Sequence, residues 1–472
     1  MRHSCVGAIV GWLWPALMPA AAASQVARAI VGATLLDGTG RQPVADAVVV
    51  VRGGRITCAG ARKSCPIPSG ARQIDARGAW LIPGLIDAHV HFSQTGWFDG
   101  RPDAADLRDR FPYPEVVARL EAHPQPFLRS YLCSGITSVF DVGGYPWTWA
   151  LRDRFANDPR APRIAAAGPL LSTIDFWLNL PGQQQFVYLA NDSIVRETVR
   201  SHAAFKTDAV KLWYIMPPQP PDTARVQALV RAAAEETHRL HLRFIVHATG
   251  LWEAKDALRA GADVLVHSVF DRPVDDEFLE LARSHRVIYI PTLTVGEGYV
   301  EAGKGTVDGH LYPLACADSI SLARVRAGPV HLTHGKEWWT DTAATRSIEQ
   351  ERATGQANAK RVQEAGITLA VGTDAGNPGT LHGPSIYREL QLLSEGGIGP
   401  MELLVDATRN GARAIGWEEK VGTVETGKAA DLVALDADPL SDVRNYQGIR
   451  WVMKGGVIAE PRGKHHRAGP RK

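Results

Sequence analysis

The sequence predicts an α/β protein, a (β/α)8 TIM barrel carrying a small β-sandwich domain formed by the N- and C-terminal segments. Three observations predict it. Between about residues 82 and 415, short apolar stretches alternate with helix-like ones, the pattern of βα units around a parallel sheet. Eight such apolar stretches can be counted, the number a barrel requires. Residues 28–80 and the chain from Val421 share a different texture, short β segments broken by glycine, so the two ends can pair and leave the middle as an insertion.

In chain order the eight strand candidates are LIPGLIDAHVHF, GITSVFDVGG, RIAAAGPLLS, DAVKLWYI, RFIVHATG, VLVHSVF, VIYIPTLTV and TLAVGTDAG. Helical stretches such as TARVQALVRAAAEETHRL and ATGQANAKRVQEAG lie between them. The first residues set Arg2 and His3 before an apolar run broken by Pro15 and closed by Ala20–Ala23, which reads as a signal peptide over 1–23. The expected organisation is then a small β domain from 24–81 and 416–462, a barrel from 82–415, and a disordered basic tail at 463–472. A cleaved signal places the mature chain in the periplasm or outside the cell, with no stable membrane anchor.

Composition bounds the partners. The chain has 472 residues, 45% hydrophobic and 22% charged, with a formal net charge of +2. No basic stripe is interleaved with aromatics, so nucleic acid is not an expected partner. A homo-oligomer is left open. Cys58 and Cys65 flank the turn-like CAGARKSC and either pair or stay free on a hairpin; their spacing fits no zinc motif.

His89 and His91 stand two apart in the first strand, so both imidazoles point to one side and can share a metal. Lys211, His247, His267 and Asp374 fall at or near the ends of the fourth, fifth, sixth and eighth strand candidates. In a barrel those ends meet at one mouth, where catalytic groups gather. Lys211 sits in apolar surroundings that push an amine toward its neutral form. No GxSxG elbow offers a nucleophile.

PGLIDAHVHF, the strand-end lysine, the two strand-end histidines and VGTDAG together resemble the amidohydrolase superfamily over nearly the whole mature chain. GITSVFDVGG, TDAGNPGTLHG and VGTVETGKAADLVALDADP are most similar to its imidazolonepropionase-like and prolidase-like members. The resemblance implies two divalent metal ions, with zinc suited to neutral imidazoles. His89 and His91 would hold the more buried ion, His247 and His267 the other, and a carboxylated Lys211 would bridge them. Asp374 would be both ligand and general base and acid. The implied reaction is attack of a metal-bridging hydroxide on the amide or peptide bond of a small molecule, of the dipeptide or N-acyl amino acid type. The alternative is a cyclic amidohydrolase or deaminase of the same superfamily, and a remote one is a secreted binding protein without catalysis.

Substrate contacts are expected from loops after the strands. Tyr214, His382 and Tyr145 are the candidates, with Trp97, Phe98, Trp147 and Trp213 as further aromatics, and Val295–Thr345 is long enough to form a lid.

Overall fold

In the computed structural model, residues 26–175, 178–216, 223–307 and 314–461 are described. The expected signal peptide and the expected basic tail lie outside these residues. Strands from both ends of the chain join one eight-stranded sheet. Its path runs Val457–Pro461, Ile449–Lys454, Leu432–Leu435, Trp80–Pro83, Arg28–Leu35, Val44–Arg52 and Arg55–Ala61, with Arg72–Asp75 also paired to Arg28–Leu35. The valine run 48–51 is buried and β-branched, which favours a strand. Gly53 and Gly54, at φ 61° and 74°, form the two-residue turn into Arg55–Ala61; both positions need the left-handed region that glycine adopts freely.

Trp80–Pro83 locks the ends together. It runs parallel to Arg28–Leu35 through Thr34↔Trp80 and antiparallel to Leu432–Leu435 through Leu81↔Ala434. Where a sandwich was expected, hydrogen bonding therefore gives one continuous sheet. The first strand candidate is also divided, since its start lies in this sheet and only Leu85–Val90, beyond Gly84, enters the parallel layer.

All eight expected stretches contain parallel strand, with two departures from the expected barrel. The third splits into Arg163–Ala166 and Leu170–Ser172 around Gly168, at φ 70°, and Pro169, which lacks an N–H to continue a ladder. The strands form two ladders, Leu85–Val90 with Ile136–Asp141 and Arg163–Ala166, and a seven-stranded sheet from Phe186–Tyr188 to Thr368–Leu369. Backbone bonds bridge them: Ala88 N to Val371 O (3.0 Å), His91 N to Ala375 O (2.8 Å) and Asp374 N to His89 O (2.7 Å). Small and branched residues such as Ala88, Ala165, Ile245, Val266 and Ile290, together with Phe140, fill the interior between the ladders.

The expected lid is largely helical. Thr294–Lys304 and Ser319–Val325 belong to it, the second capped by the Asp318 carboxylate, which accepts from Ile320 N and Ser321 N. Among the described residues no helix is long and apolar enough to cross a membrane.

Two disulfides are formed, Cys58–Cys65 and Cys133–Cys316. The second ties the end of helix Gln125–Cys133 to the lid segment across 183 residues of sequence. Replacing Cys133 and Cys316 together by serine is expected to cost about 2–5 kcal/mol of stability. Urea unfolding of the double variant against the parent measures this, and equal midpoints would show that the crosslink contributes nothing.

Candidate metal centre

Each of the six sequence-picked residues is delivered to the same end of the parallel strands. His89 is the penultimate residue of Leu85–Val90 and His91 follows it. Lys211 lies within Ala209–Trp213, His247 ends Arg243–His247, and His267 follows Val264–Val266. Asp374 stands five residues beyond Thr368–Leu369, drawn against the first strand by its own N–H on the His89 carbonyl. Gly372 makes that approach feasible, because a Cβ there would meet the His89 Cβ at 2.8 Å and its nitrogen at 3.0 Å.

At the centre, His89 Nε2 and His91 Nε2 lie 3.3 Å apart, and each faces Asp374 Oδ1, at 3.2 and 3.0 Å. His91 Nδ1 donates to the Gly143 carbonyl (2.5 Å), so in the neutral ring the lone pair is on Nε2 and points at the carboxylate. His267 Nδ1 is 4.0 Å from Asp374 Oδ2 and shares a hydrogen bond with Thr292 Oγ1 (2.7 Å). The His247 and His267 rings pack with centroids 4.3 Å apart, and His89 and His267 at 5.0 Å.

Burial keeps these groups uncharged where they are basic. It pushes His89 down to about 3, and His247 and His267 well below the ordinary histidine value, all against the pull of Asp374. Burial also brings Lys211 down to about 7, with Asp374 and Asp141 opposing. Burial works to protonate Asp374, yet His89 and His91 hold its carboxyl well below the usual range.

A divalent cation fits this set. Asp374 Oδ1 is buried and, among the described residues, has no hydrogen-bond partner, although two imidazole nitrogens crowd it. A cation between the carboxylate oxygen and the His91 lone pair, with His89 Nε2 beside them, would stabilise this convergence, and N and O donors suit zinc. His89, His267 and Asp374 can present ligand atoms within 4.8 Å of one another.

Sequence reasoning missed the supports. Asp141 is fully buried and accepts from Phe92 N and Gly143 N (both 3.1 Å), which fixes the turn whose carbonyl orients His91. Burial raises it to about 6. Asp87 accepts from Thr373 Oγ1 (2.7 Å) and Thr373 N (3.0 Å), tying the first strand to the residue before Asp374. His267, Thr292 and Asp374 all adopt positive φ, at 74°, 49° and 58°. Non-glycine residues seldom do so, and such strain gathers at functional sites.

A cavity of about 320 Å³ opens over the centre, reached by His91, Lys211, His247, His267 and Asp374. Leu178, Phe186, Trp213, Phe270 and Leu293 form an apolar wall, and Val295, Tyr299 and Ile348 close over it. Arg101 stands on the same cavity, its guanidinium on Asp103 (2.8 and 2.7 Å) and on Asn377. Burial opposes its charge, but Asp103 and Tyr299 hold its pKa above the ordinary arginine value.

The three expected substrate contacts lie elsewhere. Tyr214 turns outward and donates to Asp256 (2.7 Å). Tyr145 donates to the Leu178 carbonyl (2.9 Å) behind the wall. His382 is held by Tyr131 (2.7 Å) and the Gln94 carbonyl (2.9 Å) and stacks on Phe127 at 4.1 Å. None of the three is among the residues that line the cavity, because each satisfies its polar atom within the core first. Trp97, Phe98 and Trp147 are likewise core residues, whereas Trp213 reaches the cavity.

The amidohydrolase family model matches residues 80–459. The chain belongs to the amidohydrolase family. An imidazolonepropionase of Aromatoleum aromaticum is 24% identical over 424 residues, covering 85% of this chain and 88% of the relative. A 5-methylthioadenosine/S-adenosylhomocysteine deaminase of Moorella thermoacetica is 41% identical over 378 residues, 77% of this chain and 74% of the relative. Among solved structures, a Xaa-Pro dipeptidase with bound methionine superposes with a TM-score of 0.69 at 24% identity, covering 92% of this chain and all of that one. This amidohydrolase is thus a TIM-barrel-type α/β protein, and its superfamily is generally metal-dependent.

Gly372→Ala tests the contact that joins His89 to Asp374. It is expected to cost about 1–3 kcal/mol through overpacking and to weaken retention of divalent ions. Melting with and without added metal reads both, and parental behaviour in both would show that the strands need not approach so closely.

Proposed function

We propose that this hydrolase cleaves an amide or peptide bond in a dipeptide or N-acyl amino acid, using two divalent metal ions. The observation that carries the reading is the cavity itself. It sets a group of metal-competent side chains beside an apolar wall and a partly buried guanidinium. An apolar acyl group or side chain suits the wall, and a carboxylate suits Arg101.

His89, His91 and Asp374 would hold one ion, His247 and His267 the other, and Lys211, carboxylated, would lie between them. When bound, the ions, zinc by the chemistry of the donors, supply Lewis acidity to the scissile carbonyl and make water nucleophilic near neutral pH. Asp374 would take the proton of the attacking water and deliver it to the leaving nitrogen. The apolar wall orients the substrate and keeps bulk water from the reacting atoms. The two disulfides support a periplasmic or secreted location, since such bonds persist in oxidising compartments.

A second reading, deamination, is favoured by the 41% identical deaminase. Profiling with N-acyl amino acids, dipeptides and exocyclic-amine substrates separates the two. Release of a free amino acid supports the first reading, and release of ammonia with no amino acid overturns it in favour of the second. Asp374→Asn is expected to lose turnover by about two to four powers of ten while keeping its circular dichroism spectrum; near-parental turnover would remove the proton-transfer role.

The lysine gives a pH test. Its neutral amine, the form that captures carbon dioxide, predominates above about 7 because burial lowers the pKa. Reactivation of metal-stripped protein by divalent ions and bicarbonate is therefore expected to speed up as pH rises through about 7. Lys211→Ala should recover only with a short carboxylate present. A pH-independent rate, or full activity in Lys211→Ala alone, would rule out the carbamate.

A further inference from the structure

Glu389 lies wholly buried within helix Ser385–Glu395 and outside the ligand set. Its two carboxylate oxygens accept the backbone N–H groups of Leu293 (3.0 Å) and Thr294 (2.9 Å). These are the opening N–H groups of helix Thr294–Lys304, which has no side-chain cap of its own. A helix N-terminus leaves such donors without partners, and an anion there is favourable. Here the carboxyl group comes from a helix nearly a hundred residues later in the sequence; burial pushes its pKa up to about 8, while the two N–H groups favour the charged form. The neighbouring Arg388 grips the same helix through Glu297 (2.6 and 2.7 Å). Helix Ser385–Glu395 therefore clamps the start of Thr294–Lys304 at two adjacent positions.

The clamp matters because of what immediately precedes it. Thr292 is buried and β-branched, and stands at φ 49°, a region such residues avoid. That conformation sets its hydroxyl 2.7 Å from His267 Nδ1. His267 is anchored by its own N–H on the Ile290 carbonyl (2.8 Å), but its ring direction depends on the Thr292 contact. Thr292 keeps its unfavourable φ only if the surrounding structure fixes the chain on both sides. On one side, the Pro291 carbonyl accepts from Ser268 N (2.9 Å); on the other stand the two N–H groups held by Glu389.

We propose that Glu389 is a positioning residue for the metal centre: by holding the N–H groups of Leu293 and Thr294 it keeps Thr292 left-handed, and Thr292 in turn orients the His267 imidazole. The inference rests on His267 being a metal ligand, and one readout below does not. A carboxamide cannot replace this carboxylate, because only one of its two heads accepts a hydrogen bond and the other would face an N–H.

The test compares Glu389→Gln, Glu389→Asp, Thr292→Val and the Glu389→Gln/Thr292→Val double variant with the parent. Zinc release from the loaded protein to a colorimetric chelator is expected to quicken about 10–100-fold in Glu389→Gln and in Thr292→Val. The double variant should release zinc no faster than the faster single variant, as two steps of one relay would. Glu389→Asp, which keeps the carboxyl group on a shorter side chain, should fall between. Turnover should drop more than KM rises in each. In metal-free protein the ring 15N shifts of His267 should move in Glu389→Gln as they do in Thr292→Val. If the parent binds no zinc, the metal reading fails, and the His267 shifts still decide the relay. Parental release and unmoved shifts in Glu389→Gln, or multiplied effects in the double variant, would overturn it. If Glu389→Gln does not fold, Glu389→Asp and Thr292→Val decide the question on the same readouts.

Discussion

Two imidazole nitrogens and one carboxylate oxygen meet within 3.3 Å in a largely buried site at the foot of the cavity. The carboxylate oxygen and the His91 lone pair repel, and burial keeps the His89 imidazole from protonating to relieve that repulsion. A protein that builds such a cluster has to hold it open by force. Much of the surrounding structure does so: the carbonyl that aims His91, the Asp141 carboxylate that fixes that carbonyl, and the strand pairing that presses Asp374 onto His89.

The same constraint accounts for the backbone. His267, Thr292 and Asp374 each occupy the left-handed region without being glycine. Each such residue costs about 1–3 kcal/mol, and the cost is borne by the hydrogen bonds on either side. These bonds cross between elements distant in sequence, such as Thr373 with Asp87 and Leu293 with Glu389.

The convergence of the candidate ligands was legible in the sequence because their residue types are rare at strand ends and the alternation of strands set them at one mouth. His89 and His91 also declared themselves by spacing. The supports were not legible. Asp141 and Thr292 are single polar residues inside the second and seventh strand candidates, and Glu389 is one acid among many with no motif around it. Their roles depend on contacts with segments that no local pattern connects. Tyr214 and His382 misled for the converse reason: polar aromatics near the mouth were drawn into the core by partners, Asp256 and Tyr131, that only the fold supplies. Cys133 and Cys316 carried no pairing signal for the same reason.

The sheet made from both ends has a consequence for how this centre can exist. His89 and Asp374 are 285 positions apart, as counted from their numbers in the chain, and a free chain would bring them together rarely. Loop-closure entropy rises with the logarithm of the span. Pairing Leu81 with Ala434 closes a loop that contains both residues, starting 8 positions before His89 and ending 60 after Asp374, as counted from their numbers in the chain. Within the tethered loop the two ligands meet at a raised effective concentration, as linked binding modules do. The clasp of terminal strands thus acts on the candidate centre without touching it, by setting the polymer statistics of the chain between.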